Sequence, residues 1–300
     1  MRVFVTGASG FIGTALGRDL SEAGHQVLAL ARTDESANTL AQRGYDVHRG
    51  SLDDLESLAQ GAAKSDGVIH LAYNHDFVDM TAAGEGDLRA VNAMGDALAG
   101  TGRPLVIASG TLLLSFGFAT PLGRAGTEDD EAELAGPRIN SERALAALAE
   151  RDVRTSSVRL APTVHGPGDQ GFIARLISIA REKGVAAYVG TGENRWPAVH
   201  RLDAARLFRR ALEDAPANSH WHGVGDEGVP FRLIAETLGR HLELPVVSVT
   251  PEQAMEHFGF LGLLVQLDNP TSNLLTRERL GWRVEHPSLL EDLDAGHYFA

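Results

Sequence analysis

Residues 3–13 read VFVTGASGFIG, and this stretch predicts most of the fold. Gly7, Gly10 and Gly13 lie three residues apart, after an apolar run and before apolar residues at helical spacing. The pattern predicts a buried strand, a tight turn and a helix. Glycines let the backbone approach a pyrophosphate, and a helix N-terminus offers free N–H groups and the positive end of its dipole. The stretch therefore predicts a dinucleotide site.

The sequence that follows completes the unit which such a loop requires. Gly24 stands where a helix commonly ends, and residues 25–30 predict a second strand. Strand, helix and strand thus fit within roughly 30 residues, as in dinucleotide-binding folds. The alternative is a glycine turn without a ligand, because the chain contains 33 glycines.

The end of the second predicted strand distinguishes the two nicotinamide dinucleotides. An acidic residue about 20 positions after the glycines binds the ribose 2′-hydroxyl of NAD, whereas an arginine accommodates the 2′-phosphate of NADP. This chain has Arg32 there, and no carboxylate occurs before Asp34. A planar guanidinium suits a phosphate, so the sequence favours NADP. A solvated surface charge is the alternative for Arg32.

Composition disfavours several classes of function. A net charge of −13 over 300 residues argues against a nucleic-acid partner. The absence of cysteine excludes disulfides, a thiol nucleophile and a zinc–thiolate site. The 12 histidines are scattered, so we expect no metal site. No secretory signal and no apolar run of about 18 residues is visible, so we expect a cytoplasmic protein without a membrane span.

Alternating element signals predict the α/β class, with a Rossmann-type doubly wound parallel sheet. The predicted strands lie at 2–5, 25–30, 46–49, 67–72, 104–109 and 156–160, and the predicted helices at 53–62, 87–99 and 141–151.

The pattern becomes less regular after residue 165. Helices are expected at 172–183 and 200–213, a strand at 187–190 and a polar loop at 191–197. We interpret 1–165 as the dinucleotide-binding domain, to which 199–222 returns. Residues 166–198 and 223–300 then form a smaller region that binds a small-molecule substrate.

Five motifs carry a family resemblance. They are the glycine loop at 5–13, HLA at 70–72, RLAPTVHGPG at 159–168, VHRLD at 199–203 and LGW at 280–282. With them the chain resembles an extended-type short-chain dehydrogenase/reductase of the epimerase/dehydratase branch, over essentially its whole length. The loop and the resemblance together imply these cofactor-binding residues: Gly7, Ser9, Gly10, Phe11, Ile12, Gly13, Arg32, Leu52, Leu71, Ala72, Tyr73, Pro162 and Val164.

The chain departs from that family at its catalytic signature. The family uses Tyr-x-x-x-Lys, in which tyrosine is the general acid and lysine lowers its pKa. Arg138 stands where the tyrosine is expected and Glu142 where the lysine is expected, and the motif occurs nowhere in the sequence. Ser51 also replaces the aspartate that the family places before Leu52. The chain therefore resembles an atypical subgroup of the family.

The proton donor is left open by these departures. An arginine cannot act as an acid near neutral pH, although it can stabilise an oxyanion. Arg138 and Glu142 are four residues apart on one predicted helix, so an ion pair between them is expected. Other candidate groups follow strand ends. The catalytic candidates are Thr111, Tyr73, His165, Arg138 and Glu142, with His75 as a further donor; the alternative for Tyr73 is packing on the nicotinamide.

Three functions remain compatible with the sequence. The leading one is an NADP-dependent oxidoreductase that transfers hydride to a C=O or C=N group of a small organic molecule. A non-catalytic NADP-binding sensor would also keep the glycine loop and lose the catalytic pair. An epimerase or isomerase with tightly bound cofactor is the third. The resemblance further implies a homodimer, formed through the helices at 87–99 and 141–151.

Overall fold

The computed structural model describes residues 1–74, 79–119 and 122–299. The first half of the chain alternates strands and helices: β1 (Arg2–Thr6), α1 (Phe11–Glu22), β2 (Gln26–Ala31), α2 (Asp34–Gln42), β3 (Asp46–Arg49), α3 (Leu55–Ala63), β4 (Gly67–His70), α4 (Met80–Leu98), β5 (Pro104–Gly110), α5 (Leu113–Phe116), α6 (Pro137–Ala149) and β6 (Arg154–Leu160). The second half comprises β7 (Thr163–His165), α7 (Phe172–Lys183), β8 (Ala186–Val189), β9 (Arg195–His200), α8 (Arg201–Asp214), β10 (Ser219–Gly223), β11 (Asp226–Pro230), α9 (Phe231–Leu242), β12 (Val246–Val249), α10 (Ala254–Phe258), α11 (Leu274–Leu280) and α12 (Leu289–Asp294).

A seven-stranded sheet lies at the centre of the molecule, in the order β10-β6-β5-β4-β1-β2-β3. Each neighbouring pair in it is parallel, so the carboxyl ends of the strands share one edge. The strand order reverses between β1 and β4, and ligands of open α/β sheets bind outside such a switch point. The predicted Rossmann-type fold is confirmed.

Helices cover both faces of this sheet. On one face α1 packs against α8, and Leu16 and Phe208 are fully buried there. On the other face α3, α4 and α6 pack around Phe4 and Leu58. The apolar residues at helical spacing in these segments thus supply two continuous cores.

A third core lies beyond the central sheet. A three-stranded sheet (β11-β9-β7) and a two-stranded sheet (β12-β8) surround it with α7 and α9. Ile173, Trp196 and Phe231 are among its buried side chains. The chain returns from this region to the central sheet at α8 and β10.

Several sequence predictions of element bounds need correction, among them the helix predicted at 141–151, which runs over Pro137–Ala149. The predicted loop at 191–197 is wrong from Arg195 onward, because β9 begins there and pairs with β7 and β11. The helix predicted at 87–99 begins earlier, at Met80, because the Asp79 carboxylate accepts the Ala82 N–H at 2.9 Å and caps it.

Candidate active site

The glycine loop joins β1 to α1 at the switch point of the sheet. Gly7 has φ +74°, and a Cβ there would lie 2.8 Å from the Ala72 nitrogen, which follows β4. A Cβ at Gly13 would lie 2.0 Å from the Gly7 oxygen. Two of the three glycines are therefore required by the close packing of the loop against α1 and the end of β4.

Gly10 has a different role, because it forms the N-cap of α1 and is exposed. It supplies no side-chain cap to the helix, and Ser9 beside it is exposed as well. Phe11 and Ile12 occupy the first turn and are half-buried. An exposed helix N-terminus of this kind fits the pyrophosphate of a dinucleotide.

The end of β2 presents a cation. Arg32 is exposed, directly after the strand. The Asp34 carboxylate is paired with Arg49, whose Nη2 lies 2.8 Å from Oδ1. Arg49 also donates to the Thr33 oxygen at 2.6 Å, so it holds the turn that leads into α2. Leu52, further along, is half-buried against the core under α3 and α4.

A buried polar network connects the ends of β1 and β4 to α4 and α6. Thr6 Oγ1 accepts the Ala72 N–H at 3.2 Å and is hydrogen-bonded to His70 Nδ1 at 2.7 Å. His70 Nε2 lies 3.3 Å from Asp87 Oδ1, and Ser141 Oγ donates to Asp87 Oδ2 at 2.6 Å. This network fixes the backbone beside the glycine loop.

The charge of Asp87 is stabilised within that network. Burial opposes its ionisation, but the hydrogen bond and charge of His70, the charge of Arg138 and the hydrogen bond of Ser141 hold the pKa of Asp87 below its usual value. Asp87 is therefore ionised, and it places a negative charge beneath the edge of the sheet where Tyr73 and Arg138 meet.

Tyr73 and Arg138 are brought together at that edge. Leu71 and Ala72 lead out of β4 to Tyr73, and Arg138 lies in the first turn of α6. The Arg138 Cζ lies 3.6 Å from the centroid of the Tyr73 ring, and its Nη1 donates to the Ala108 oxygen at 2.7 Å. Burial raises the pKa of Tyr73, while the charge of Arg138 acts in the opposite direction.

The expected ion pair between Arg138 and Glu142 is wrong. Glu142 is buried and pairs with Arg159 of β6, whose Nη2 lies 2.8 Å from Oε2 and whose Nε lies 3.1 Å from both carboxylate oxygens. Ser157 donates to Glu142 Oε1 at 3.1 Å. Burial opposes ionisation, but the charge and hydrogen bonds of Arg159 hold the pKa of Glu142 below its usual value. The side chain at the lysine position is therefore part of the core.

Two further candidates are engaged elsewhere. Thr111 is fully buried, and its hydroxyl donates to Asn269 Oδ1 at 2.8 Å. His165 is also fully buried, and its Nδ1 lies 2.9 Å from Asp292 Oδ2 in α12. The structure does not bring either side chain to Tyr73 and Arg138. His75 lies outside the described residues.

Pro162 and Val164 lie just past β6, on the same edge of the sheet. Both are half-buried, and Val164 packs against the core of the central sheet. Val164 thus lies on the opposite side of β7 from His165, because side chains alternate along a strand.

Sequence reasoning missed the partners that organise this edge, above all Asp87, Ser141 and Arg159. A charged residue in an otherwise buried strand, such as Arg159 in β6, signals a buried partner, and a carboxylate on the neighbouring helix is the expected one. Within the part of the chain that the structure covers, no helix has the length and apolar character needed to cross a membrane.

The sequence is similar to that of several known proteins. The model of the NAD dependent epimerase/dehydratase family matches residues 3–111. An uncharacterized protein of Schizosaccharomyces pombe is 47% identical over 300 residues and is matched over 100% of both chains. The 2-alkyl-3-oxoalkanoate reductase of Stenotrophomonas maltophilia is 31% identical over 226 residues, which are 71% of this chain and 66% of that protein.

A solved structure agrees with the fold. The UDP-glucose 4-epimerase of Thermotoga maritima, determined with UDP-glucose, superimposes with a TM-score of 0.77 at 19% identity, over 100% of this chain and 98% of that one. Fold and glycine loop together define a dinucleotide-binding α/β protein. Over residues 3–111 the chain belongs to the NAD dependent epimerase/dehydratase family, which is a family of NAD(P)-dependent enzymes. The predicted family is thereby confirmed.

Proposed function

We propose that the protein is an NADP-dependent oxidoreductase that transfers hydride to a C=O or C=N group of a small organic molecule. The observation that carries the proposal is the exposed N-terminus of α1 at the glycine loop, beside the side chains at the ends of β4 and β5. Gly7, Ser9, Gly10 and the first turn of α1 would hold the pyrophosphate. When bound, the reduced dinucleotide supplies the hydride.

Arg32 supports NADP rather than NAD. It is exposed at the end of β2, and within the described ranges its side chain takes part in no ion pair. The neighbouring Asp34 carboxylate is already paired with Arg49. A 2′-phosphate would therefore meet an available guanidinium, whereas the first carboxylate after the strand, that of Asp34, is taken up by Arg49 and is a poor partner for a 2′-hydroxyl.

The substrate belongs to the smaller region, formed by 166–198 and 223–300. The relative from Stenotrophomonas maltophilia is named as a reductase of 2-alkyl-3-oxoalkanoates, which supports a carbonyl compound as substrate. An imine is the second class, because an iminium carbon already carries the positive charge that an acid would otherwise have to supply. With Arg138 and Glu142 in place of the tyrosine and the lysine, we place the chain in an atypical subgroup of its family.

Cofactor binding and turnover are tested separately. NADPH and NADH are titrated by calorimetry, and the purified protein is then mixed with NADPH and a panel of ketones, 3-oxo acids and imines while the absorbance of the reduced nicotinamide is followed. We expect tighter binding of NADPH and consumption with at least one carbonyl or imine. Failure to bind either dinucleotide would overturn the proposal.

A sensor without catalysis is the second candidate. The commitment of Glu142 to Arg159 favours it, because the position that the family gives to its lysine is here part of the core. Tight NADPH binding with no consumption across the panel would support this candidate over the reductase.

We also propose a cytoplasmic homodimer formed through α4 and α6. Leu145 and Leu148 of α6 are buried in the core of the monomer, and the exposed residues of α6 include the small side chains of Ala146 and Ala147. Small side chains let two helices approach closely. Light scattering tests the proposal: a dimer mass that Ala147→Glu converts to a monomer mass would support it, and a monomer mass at every concentration would overturn it.

A further inference from the structure

The contact between Tyr73 and Arg138 has the geometry of a functional pair. The guanidinium carbon lies 3.6 Å from the ring centroid, well within the range of a cation–π interaction. Both residues are half-buried, so the interaction is only partly screened by water. Tyr73 lies one residue beyond Ala72 and Arg138 lies in the first turn of α6, and these positions place the phenol at the carboxyl edge of the sheet.

Several contacts hold this pair in place. Nη1 of Arg138 donates to the Ala108 oxygen of β5 at 2.7 Å, which fixes the guanidinium above the sheet. Asp87 lies beneath, bound by His70 and Ser141, and its charge favours a cation at this position. Glu142 does not neutralise Arg138, since its carboxylate is taken up by Arg159.

We propose, resting on the proposed reductase function, that Tyr73 and Arg138 form a relocated tyrosine–cation pair in which Tyr73 is the catalytic acid. When bound, NADPH would supply the hydride that adds to the carbonyl carbon as the C=O π bond breaks. The Tyr73 hydroxyl gives its proton to the carbonyl oxygen, which forms the O–H bond of the alcohol. The guanidinium of Arg138 stabilises the phenolate that remains, and water then returns a proton to it.

The physical argument is a balance between burial and charge. Burial, and to a smaller extent the charge of Asp87, disfavours a phenolate at Tyr73, and a permanently protonated arginine over the ring favours it. Without Arg138, the phenol would keep its proton more tightly and would be a weaker acid. An opposite charge at this distance shifts a titration by about 1–3 pKa units.

The first test needs no substrate. The protein is produced with 3-fluorotyrosine in place of its four tyrosines, and each phenol is titrated by fluorine NMR. The Tyr73→Phe variant identifies the signal of Tyr73. We expect Arg138→Gln to raise the midpoint of that signal by about one pH unit or more, a tenfold change in proton affinity. An unchanged midpoint in a folded variant would overturn the proposal that Arg138 stabilises the Tyr73 phenolate.

The chain offers a matched control. Arg232 lies 5.6 Å from the Tyr188 ring centroid, in an arginine–tyrosine contact between α9 and β8. The Arg232→Gln variant should leave the midpoint of Tyr73 and the turnover unchanged. A shift of the Tyr73 signal in this control would mean that the response is not specific to Arg138.

The second test uses the best carbonyl substrate from the panel. We expect Tyr73→Phe to lower kcat by about 10²–10⁴-fold with little change in NADPH affinity. Arg138→Lys should keep more activity than Arg138→Gln, because lysine retains the positive charge that stabilises the phenolate. Full turnover by Tyr73→Phe would overturn the pair. If the wild type reduces neither a carbonyl nor an imine, the proposed function fails, and the NMR titration alone decides whether the pair exists.

Discussion

At the scale of single residues, Glu142 has a structural role at the position where the family resemblance implies a lysine. Its carboxylate is buried with Arg159 and Ser157, and the three groups satisfy one another. Removal of one member of a buried ion pair leaves the other charge uncompensated, which costs far more than the pair itself contributes. This position has therefore become part of the core of the protein.

Glu142→Ala should accordingly destabilise the protein by about 3–5 kcal/mol, because Arg159 would remain buried without its partner. Glu150, exposed at the end of the same helix, provides the control: Glu150→Ala should change the free energy of unfolding by less than about 0.5 kcal/mol. Urea unfolding of both variants measures the difference. Equal stability of the two variants would contradict the role assigned to the buried pair.

Arg32 carries a prediction about cofactor choice. Arg32→Ala should weaken NADPH binding by about 1–3 kcal/mol through the loss of a charge-assisted contact, and should leave NADH binding nearly unchanged. Calorimetric titration with each dinucleotide measures this. The same loss for both dinucleotides, or tighter binding of NADH by the wild type, would refute NADP preference.

The residue scale also shows where sequence reasoning reaches its limit. The pairing of Arg138 with Glu142 was expected from their spacing on one helix, whereas the actual partner, Arg159, comes from the next strand. Tyr73 and Arg138 lie far apart in sequence and meet only because β4 ends and α6 begins at the same edge of the sheet. Local spacing carries no information on such contacts.

At the scale of elements, the glycines of the loop serve two different purposes: one is needed for folding and another for binding of the dinucleotide. A Cβ at Gly13 would collide with the Gly7 backbone, whereas a Cβ at Gly10 would lie 3.2 Å from the nearest atom, the Gly7 oxygen. Gly10→Val should therefore leave a folded protein that no longer binds dinucleotide, because the branched side chain would occupy the pyrophosphate site.

Circular dichroism and calorimetry on two variants check that separation. Gly13→Ala should lower the melting temperature, and Gly10→Val should mainly abolish binding. A folded Gly10→Val variant with unchanged NADPH affinity would show that the loop is not the phosphate site.

The helix α6 carries a prediction about the family signature. The double substitution Arg138→Tyr and Glu142→Lys restores Tyr-x-x-x-Lys, yet it should fail to raise turnover of the native substrate. A lysine in place of Glu142 would lie in the core beside Arg159, and the Tyr73–Arg138 contact would be lost. Steady-state kinetics with the wild type and Glu142→Gln as references measure the outcome. Higher turnover in the double variant would contradict this prediction and would show that the site can still use the family's tyrosine and lysine.

Prediction of helices and strands succeeded where the apolar residues repeat with a clear period. It failed where contacts with distant parts of the chain determine the structure. Most strands and helices of the first half were recognisable because each has its own apolar pattern, whereas α2, whose buried residue is Leu40, was missed. The start of β9 at Arg195 was not recognisable, because polar residues begin that strand and its pairing with β7 and β11 comes from distant parts of the chain.

At the scale of the whole molecule, buried histidines couple stability to pH. Burial, with the charges of His165 and His286, lowers the pKa of His200 to about 4, and burial, with the charge of Arg159, lowers that of His222 to about 3. An unfolded histidine titrates near pH 6.5, so the unfolded state binds more protons below that pH. The stability contributed by the neutral rings is complete above about pH 6.5 and is lost as the pH falls toward the folded values.

We therefore expect the free energy of unfolding to fall by a few kcal/mol between about pH 7 and pH 4.5. The depressed pKa of Glu142 acts in the same direction at the acid end, because its ionised form is the one that the fold stabilises. Urea unfolding at a series of pH values measures the slope. A constant free energy across this range would show that these rings are charged in the folded protein.

The Glu142–Arg159 pair also limits how this part of the chain can be changed. A lysine in place of Glu142 would put two positive charges together in the core, and a substitution that removes Arg159 would leave the carboxylate buried without its partner. Either change alone therefore destabilises the protein, so an engineered variant of this site has to change both positions together.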